Sequence, residues 1–199
     1  MPKKKKQQAP PSINFPSVYH VVGGDISLKR PGFCVLTVEH NENGEASIIN
    51  VKTTCVDNKK DQTKPKGQIL NELLKALAFF IPDEEAGNAV TFYVREKYIS
   101  SHNSTYESSI YEAVGITDWF LWGLGKTWEE IYPVTIKKLI TGNGHADKAE
   151  VAAALEAYVG EREYATDDES DAVAVAIAWL IQQGQLKPPA PKEEESDGE

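Results

Sequence analysis

The sequence predicts an α/β domain in which a mixed five-stranded sheet is flanked by helices. Two patterns in the 199 residues support this class. Short apolar or alternating stretches indicate strands, and longer stretches with apolar residues three and four apart indicate amphipathic helices. Their order is three strands, a helix, a strand, a helix, a strand and two closing helices. A chain of this length buries one core, so we expect one domain.

Five segments have the composition of strands. Asn43 and Gly44 lie between the second and the third and are typical of a hairpin turn. The fifth strand is expected within residues 128–140. The other four predicted strands are residues 18–26, 32–38, 46–56 and 89–96.

Four segments are predicted to be helices. Pro65 lies near the start of the first, and residues 104–107 (STYE) form a capping-box pattern that opens the second, which runs towards Leu124. Residues 148–159 form the third, and residues 166–183 form the fourth, with a second capping box at its start (TDDE). In the first helix, the apolar residues at helical spacing are Leu70, Leu73, Leu74, Leu77 and Ile81.

The two ends differ in composition from the part between them. Residues 1–16 are rich in Lys, Gln and Pro, and we expect a disordered basic tail. Its lysine run would contact phosphate, act as a nuclear import signal or only increase solubility. Residues 185–199 are Pro-rich and then acidic, and we expect a second disordered tail. The folded domain is therefore expected to span residues 17–184.

The formal net charge of −9 argues against a simple electrostatic DNA-coating protein. Five of the 30 acidic residues lie in residues 191–199, however, and several lysines are clustered, so a local basic surface stays open. The longest apolar run, residues 172–181, is too short to span a bilayer, and no membrane association is expected. Cys34 and Cys55 lack metal-ligand spacing, and we expect free thiols in an intracellular protein.

Four acidic residues lie where a metal site could be assembled. Asp25 ends the first predicted strand, Glu96 ends the fourth, and Asp168 and Asp171 share one face at the start of the last helix. Taken singly, each has a simpler explanation, such as a favourable interaction with the helix dipole for Asp168. Together they favour a site for Mg²⁺ or Mn²⁺, because oxygen ligands select these ions. Two such ions would suit in-line displacement at phosphorus.

Two stretches in the second half of the chain resemble the RuvC Holliday-junction resolvases. Residues 136–148 (IKKLITGNGHADK) contain a Gly-x-Gly loop and two lysines at fixed spacing, and residues 168–176 read DESDAVAVA. Residues 24–27 (GDIS) and 31–33 (PGF) form a shorter match, and Glu96 matches the family's strand-end glutamate. The resemblance covers the chain between its two tails and implies the RNase H-like fold. The divergence and the long tails suggest a bacteriophage or otherwise distant member.

The resemblance implies a metal-dependent endonuclease that resolves four-way and other branched DNA junctions. It implies a catalytic, metal-binding tetrad of Asp25, Glu96, Asp168 and Asp171. Lys137 and Lys148 match family lysines that contact phosphate near the scissile bond. Two alternatives stay open: an RNase H-like nuclease that acts on RNA or forks, and a catalytically silent junction-binding protein.

The resemblance also implies a homodimer, whose two active sites would suit a two-fold substrate. The long second helix, in which Gly115 permits close approach, is the candidate dimer face; a helix that only packs on the sheet is the alternative. Tyr98 and Ile99 stand where bacterial members place a phenylalanine wedge, so cleavage preference does not transfer. We expect branched DNA as the partner; the sequence does not identify a partner helicase. The expected location is the cytoplasm, or the nucleus in a eukaryote.

Overall fold

The computed structural model describes residues 13–58, 63–82, 90–99 and 104–189, with side chains from residue 108 onwards in the last range. The predictions for residues 1–12 and 190–199, which form most of the two tails, lie outside the described residues. So do the side chains of the capping-box pattern at residues 104–107.

A five-stranded mixed sheet in the order β3-β2-β1-β4-β5 forms the centre of the domain. β1 pairs antiparallel with β2 and β2 with β3, whereas β1 pairs parallel with β4 and β4 with β5. Gly44 adopts a left-handed φ of 78° in the predicted turn between β2 and β3. The predicted sheet is confirmed, with β1 at Val18–Asp25, β2 at Gly32–His40, β3 at Ala46–Cys55, β4 at Thr91–Glu96 and β5 at Glu129–Ile131.

Five helices flank this sheet within the described residues: α1 at Lys66–Phe80, α2 at Ser104–Gly123, α3 at Pro133–Thr141, α4 at Lys148–Val159 and α5 at Asp167–Gln182. The sequence analysis expected four, and α3 is the one it missed. Pro133 opens α3, and Ile136 and Ile140, one turn apart, are its buried residues. The capping box predicted at Thr166 is wrong: the Thr166 side chain makes no capping hydrogen bond. The Glu169 carboxylate accepts the Ala165 N–H instead.

α5 is the central core helix. Residues 172–181 are all buried, and they pack on β1 and β2. A helix that is apolar on every side has to lie inside a protein, which explains the longest apolar run of the sequence. No helix in the described part of the chain combines the length and the apolar character needed to cross a membrane.

Two glycines allow α5 to lie close against the sheet. A Cβ added at Gly23 of β1 would overlap the carbonyl oxygen of Ala172, and one added at Gly32 of β2 would overlap that of Asp168. The close approach brings the first turns of α5 next to the end of β1. The glycines therefore fix where the acidic start of α5 lies.

The other face of the sheet packs against α1 and α2. Leu73 and Leu77 of α1 and Ala113 and Leu121 of α2 form one cluster with sheet residues such as Tyr93. Side chains alternate along a strand, so Tyr93 and Arg95 face α2, whereas Val94 and Glu96 face α5.

The ends of the described chain pack against the core beyond the predicted limits of residues 17 and 184. The ring of Phe15 lies 5.0 Å from that of Tyr19. The Tyr19 hydroxyl donates to Gln185 Oε1 at 3.2 Å, and His40 Nε2 lies 2.7 Å from the same oxygen. The ordered unit therefore includes a few residues that the sequence analysis assigned to the tails.

Candidate active site

Asp25 and Glu96 end two neighbouring parallel strands. Gly24 of β1 pairs with Arg95 of β4, and each carboxylate residue follows directly. Both side chains lie on the face of the sheet that α5 covers. The strand pairing therefore brings Asp25 and Glu96 together, as the sequence analysis expected.

The start of α5 brings the other two carboxylates to the same place. The charges of Asp171 and Asp168 both act on Asp25, and that of Asp171 also acts on Glu96. Asp168 lies beside Gly32, which has no side chain to hold the helix away. The four acidic residues, separated along the sequence, thus converge at one end of the sheet.

Three of these residues, Asp25, Glu96 and Asp168, line a cleft of about 760 Å³. The rest of its lining comes from the β1–β2 connection, the segment after β4, α2, and the starts of α3 and α4. A cleft of this size can accept part of a large substrate. The other lining residues are Ile26, Ser27, Leu28, Lys29, Arg30, Lys97, Tyr98, Ile99, Ser109, Ile110, Val114, Pro133 and Lys148.

Asp25 is the acidic residue most strongly affected by this environment. Burial raises its pKa to about 8, and the charges of Glu96, Asp171 and Asp168 add to the effect, while Lys148 opposes it. A carboxylate that is both desolvated and surrounded by like charge is costly to ionise. A cation bound beside Asp25 would therefore favour the ionised form of its carboxylate.

Glu96 shares this property to a smaller extent. Partial desolvation in the cleft raises its pKa to about 7, helped by the charge of Asp171 and opposed by Lys137 and Lys148. Its side chain nevertheless remains exposed to water. Glu96 is thus available to a ligand from the solvent side.

Two cations pair with the carboxylates of α5. Lys148 Nζ donates to Asp171 Oδ2 at 2.7 Å, and this hydrogen bond raises the pKa of the lysine. Arg30 Nε lies 3.4 Å from Asp168 Oδ2. Basic side chains therefore border the acidic site. Lys148 was among the residues predicted from the sequence, and Arg30 was not.

Lys137 occupies the α3 side of the site. Its Nζ donates to the Ala146 carbonyl oxygen at 2.6 Å, which connects α3 to the loop before α4. From this position its charge lowers the pKa of Glu96. Lys138 is exposed on the same helix. Lys137, whose side chain is partly buried, is therefore the α3 lysine whose charge reaches Glu96.

The donor set fits a hard divalent cation. Four carboxylates offer only oxygen ligands, which Mg²⁺ and Mn²⁺ prefer. The pKa values of Asp25 and Glu96 are raised by desolvation and then by neighbouring carboxylates, and a bound cation would oppose both effects. Within the described residues, no three His, Cys, Asp or Glu side chains are already arranged to hold an ion. Asp171 and Asp168 face Lys148 and Arg30, so both would have to turn to act as metal ligands.

Arg30 and Arg95 are charged residues that the sequence analysis missed. Arg95, which precedes Glu96, is buried and pairs with Asp118 of α2 at 2.5 Å and with Glu130 of β5 at 2.9 Å. Strand alternation could have indicated that Arg95 and Glu96 face opposite sides. Nothing in the local sequence indicates that Arg30 reaches α5.

The aromatic residues near the site have different environments. Tyr98 packs against Tyr111 of α2, with ring centroids 5.4 Å apart, and its hydroxyl is buried. Ile99 is exposed at the cleft. Trp119 and Trp122 of α2 are 61% and 72% exposed, so they are surface residues and do not belong to the core.

Comparisons with known proteins relate the chain to one family. Residues 21–179 match the family model of crossover junction endodeoxyribonuclease RuvC. The protein of that name from Ehrlichia ruminantium (strain Gardel) is 32% identical over 164 residues, covering 81% of this chain and 96% of the relative. The one from Synechococcus sp. (strain RCC307) is 28% identical over 163 residues, covering 80% and 98%.

Solved structures show the same fold. The T. thermophilus RuvC in complex with Holliday junction substrate has a TM-score of 0.62 at 20% identity, covering 86% of this chain and 99% of that one. The yeast mitochondrial Holliday junction resolvase Ydc2 has a TM-score of 0.53 at 16% identity, covering 88% and 83%. The likeness confirms the RNase H-like fold that the family resemblance implied.

Proposed function

This chain belongs to the crossover junction endodeoxyribonuclease RuvC family, and we propose that it is a structure-selective endonuclease that cuts four-way and other branched DNA junctions. The family is one of metal-dependent nucleases. The proposed substrate fits a compartment that holds DNA, and we propose the cytoplasm of a bacterial or phage-infected cell, or a nucleus if the source is eukaryotic.

One observation supports the proposal: Asp25, Glu96, Asp168 and Asp171 lie close enough at one end of the sheet for their charges to interact, and the first three line a cleft. A protein that only binds DNA gains nothing from mutually repelling carboxylates, since they repel phosphate and add to the effect of burial, which raises the pKa of Asp25 to about 8. Metal-dependent phosphodiester cleavage needs such a set. Charge repulsion in the cleft is therefore a cost that the proposed reaction explains.

In this proposal the four carboxylates hold Mg²⁺, two ions per site, and Mn²⁺ can replace them. When bound, the metal would supply an activated water and would stabilise the leaving 3′ oxygen. Asp25 is fixed at the end of β1 and Glu96 beside it on β4, so these two side chains define the position of the reaction. Asp168 and Asp171 complete the set from α5, after releasing their basic partners.

Lys148 and Lys137 are proposed to bind the phosphate at the scissile bond. Lys148 reaches the site from the start of α4, where it contacts Asp171. Lys137 approaches Glu96 from α3. Both ammonium groups lie on the α3–α4 side of the carboxylates, and each offers donors to a phosphate oxygen.

A homodimer is part of the proposal, and its support is the outer face of α2. Tyr111, Trp119 and Trp122 are all more than half exposed and share one side of the helix. A Cβ added at Gly115, on the same side, would meet nothing within 4 Å, so the backbone is accessible there. Exposed aromatic residues grouped on one surface are typical of protein interfaces.

The proposal is tested by cleavage of labelled substrates by the purified protein. Four-way junction, replication fork, linear duplex and RNA–DNA hybrid are incubated with and without Mg²⁺, and the products are mapped to the nucleotide. We expect paired symmetrical nicks in the junction that require the metal and disappear in Asp25→Asn. Sedimentation velocity on the same preparation measures the dimer, which Trp122→Ser should weaken.

Each other outcome points to a different function. Cleavage of the hybrid or the fork without the junction would assign the chain to the alternative nuclease class. Binding of the junction without cleavage in Mg²⁺ or Mn²⁺ would indicate a catalytically silent protein. A monomer that cuts the junction would remove only the dimer from the proposal.

A further inference from the structure

The connection between β1 and β2, residues 26–31, is held rigidly at the edge of the cleft. Asn58, which is 6% exposed, donates its backbone N–H to the Lys29 carbonyl at 2.9 Å and its side-chain amide to the Leu28 carbonyl at 3.0 Å. The Arg30 N–H donates to Ser27 Oγ at 3.1 Å, and the Pro31 carbonyl accepts from Val56. These hydrogen bonds fix the position of a short loop that could otherwise move.

This rigid connection presents two cations in succession. Lys29 is exposed, and the side chain of Arg30 is 27% accessible; both line the cleft that contains Asp25 and Glu96. Arg30 Nε, a buried atom, lies 3.4 Å from Asp168 Oδ2, and the guanidinium also contacts Cys55. An arginine has five N–H donors, so these two partners leave some of them available to a ligand in the cleft.

Arg30 lies on the side of the carboxylates away from Lys137. Its neighbour Pro31 is hydrogen-bonded to Val56, which follows β3, so the loop lies towards β2 and β3. Lys137, in contrast, acts on Glu96 of β4. Basic side chains thus border the acidic site on both sides, an arrangement that suits a polyanion crossing it.

We infer that Arg30, held by the Asn58-fixed connection, binds a backbone phosphate of the nucleic acid on the β2–β3 side of the carboxylates, one or more nucleotides from the phosphate at Lys148. This inference rests on the proposed function, because it places the same DNA strand in the same cleft. Arginine suits the task, since its planar group donates two parallel hydrogen bonds to one phosphate. In the free protein Asp168 holds the guanidinium, and Arg30 turns from it to the phosphate when the nucleic acid binds.

The test measures binding of a labelled four-way junction in EDTA, where no cleavage takes place, over a series of salt concentrations. Arg30→Gln is expected to bind about tenfold more weakly and to lower the slope of log K against log salt by about one. Arg30→Lys keeps the charge and should keep the slope. Affinity and slope equal to those of the wild type in Arg30→Gln would overturn the inference.

A matched control removes one positive charge elsewhere. Lys52 is exposed on β3 and lines a separate groove, so Lys52→Gln should change the slope less than Arg30→Gln does. A background of Asp168→Asn separates phosphate binding from simple neutralisation of Asp168. If Arg30→Gln has no effect in that background, Arg30 only balances Asp168 and the inference is wrong.

The outcomes distinguish this inference from the proposed function. A wild-type protein that binds and cuts the junction, with an unchanged Arg30→Gln, contradicts the inference alone. A wild-type protein that binds no branched DNA contradicts both. Circular dichroism of Arg30→Gln and Arg30→Lys confirms that the compared variants are folded.

Discussion

Arg95 and Glu96 are adjacent in β4, yet their charged groups lie on opposite faces of the sheet in contrasting environments. Arg95 is 7% exposed and points towards α2, where Asp118 and Glu130 neutralise it. Glu96 points towards α5, where desolvation and, to a smaller extent, the charge of Asp171 raise its pKa to about 7. The charge of Arg95 is buried and fully paired, whereas that of Glu96 is accessible, lies near the like charge of Asp171 and is only partly balanced by two lysines.

The difference separates a structural charge from a functional one. A buried ion is retained only when partners compensate it, and the Arg95 group joins β4, β5 and α2 in that way. A site for a cation needs the reverse, namely carboxylates that are left partly uncompensated. The ion pairs on the α2 side of β4 therefore stabilise the fold, whereas the carboxylates on the α5 side repel one another in a way that a bound metal would relieve.

The largest expected effect is on cleavage, at the uncompensated side. Asp25→Asn keeps the size of the side chain and removes its charge, so we expect junction cleavage in Mg²⁺ to fall by about 10³-fold or more, the scale of losing one group that stabilises a transition state. Single-turnover cleavage measures the loss. The matched variant is Asp118→Asn, on the compensated side, which should cut with a rate near that of the wild type. Equal losses in the two variants would contradict the distinction between the faces.

The sequence predicted the carboxylates on the α5 side of β4 better than the ion pairs of Arg95 on the α2 side. Carboxylates at strand ends and at a helix start are local signals, and Asp25, Glu96, Asp168 and Asp171 lie where those signals placed them. The role of Arg95 depends on partners from α2 and β5, and the reach of Arg30 depends on how closely Gly32 lets α5 approach. Such contacts arise from tertiary packing, which local patterns do not contain.

The one missed helix has a local cause. α3 contains the β-branched residues Val134, Thr135 and Ile136 directly after β5, and these residues favour strands. The signals for a helix were Pro133 at its start and the one-turn spacing of Ile136 and Ile140, which are its buried residues. The helix matters for the site, since it positions Lys137 near Glu96.

The second prediction concerns stability at the compensated side. Arg95→Ala removes a buried cation and leaves Asp118 and Glu130 without their partner, so we expect the free energy of unfolding to fall by about 2–4 kcal/mol. Urea denaturation measures the change. Lys97→Ala, which removes an exposed ion pair to the same Glu130, should leave the midpoint nearly unchanged. A loss in Arg95→Ala no greater than that in Lys97→Ala would mean that the buried group does not stabilise the fold.

The third prediction is a pH dependence of the metal-free protein. The pKa of folded Asp25 is about 8, well above its value in an unfolded chain, so the folded state binds the additional proton. This contribution to stability is complete below about pH 4 and is lost as the pH rises towards 8. Asp25→Asn cannot lose it, and should therefore be more stable than the wild type by about 1–3 kcal/mol at pH 8.5 and by much less at pH 5. Thermal unfolding in EDTA at both pH values measures the difference in stability between Asp25→Asn and the wild type. A difference that does not grow with pH would contradict the raised pKa of Asp25.

The smallest expected effect is at Glu96, because water reaches its side chain. Its pKa is raised in the same direction, to about 7, so Glu96→Gln should also stabilise the metal-free protein at pH 8.5. Solvent screens the repulsion, and we expect a gain of about 0.5 kcal/mol, clearly below that of Asp25→Asn. Adding Mg²⁺ should reverse the order, since the wild type gains stability by binding the ion and both variants lose a ligand. Melting temperatures across a Mg²⁺ titration measure this crossover, and its absence would show that repulsion at the end of β4 is not connected to metal binding.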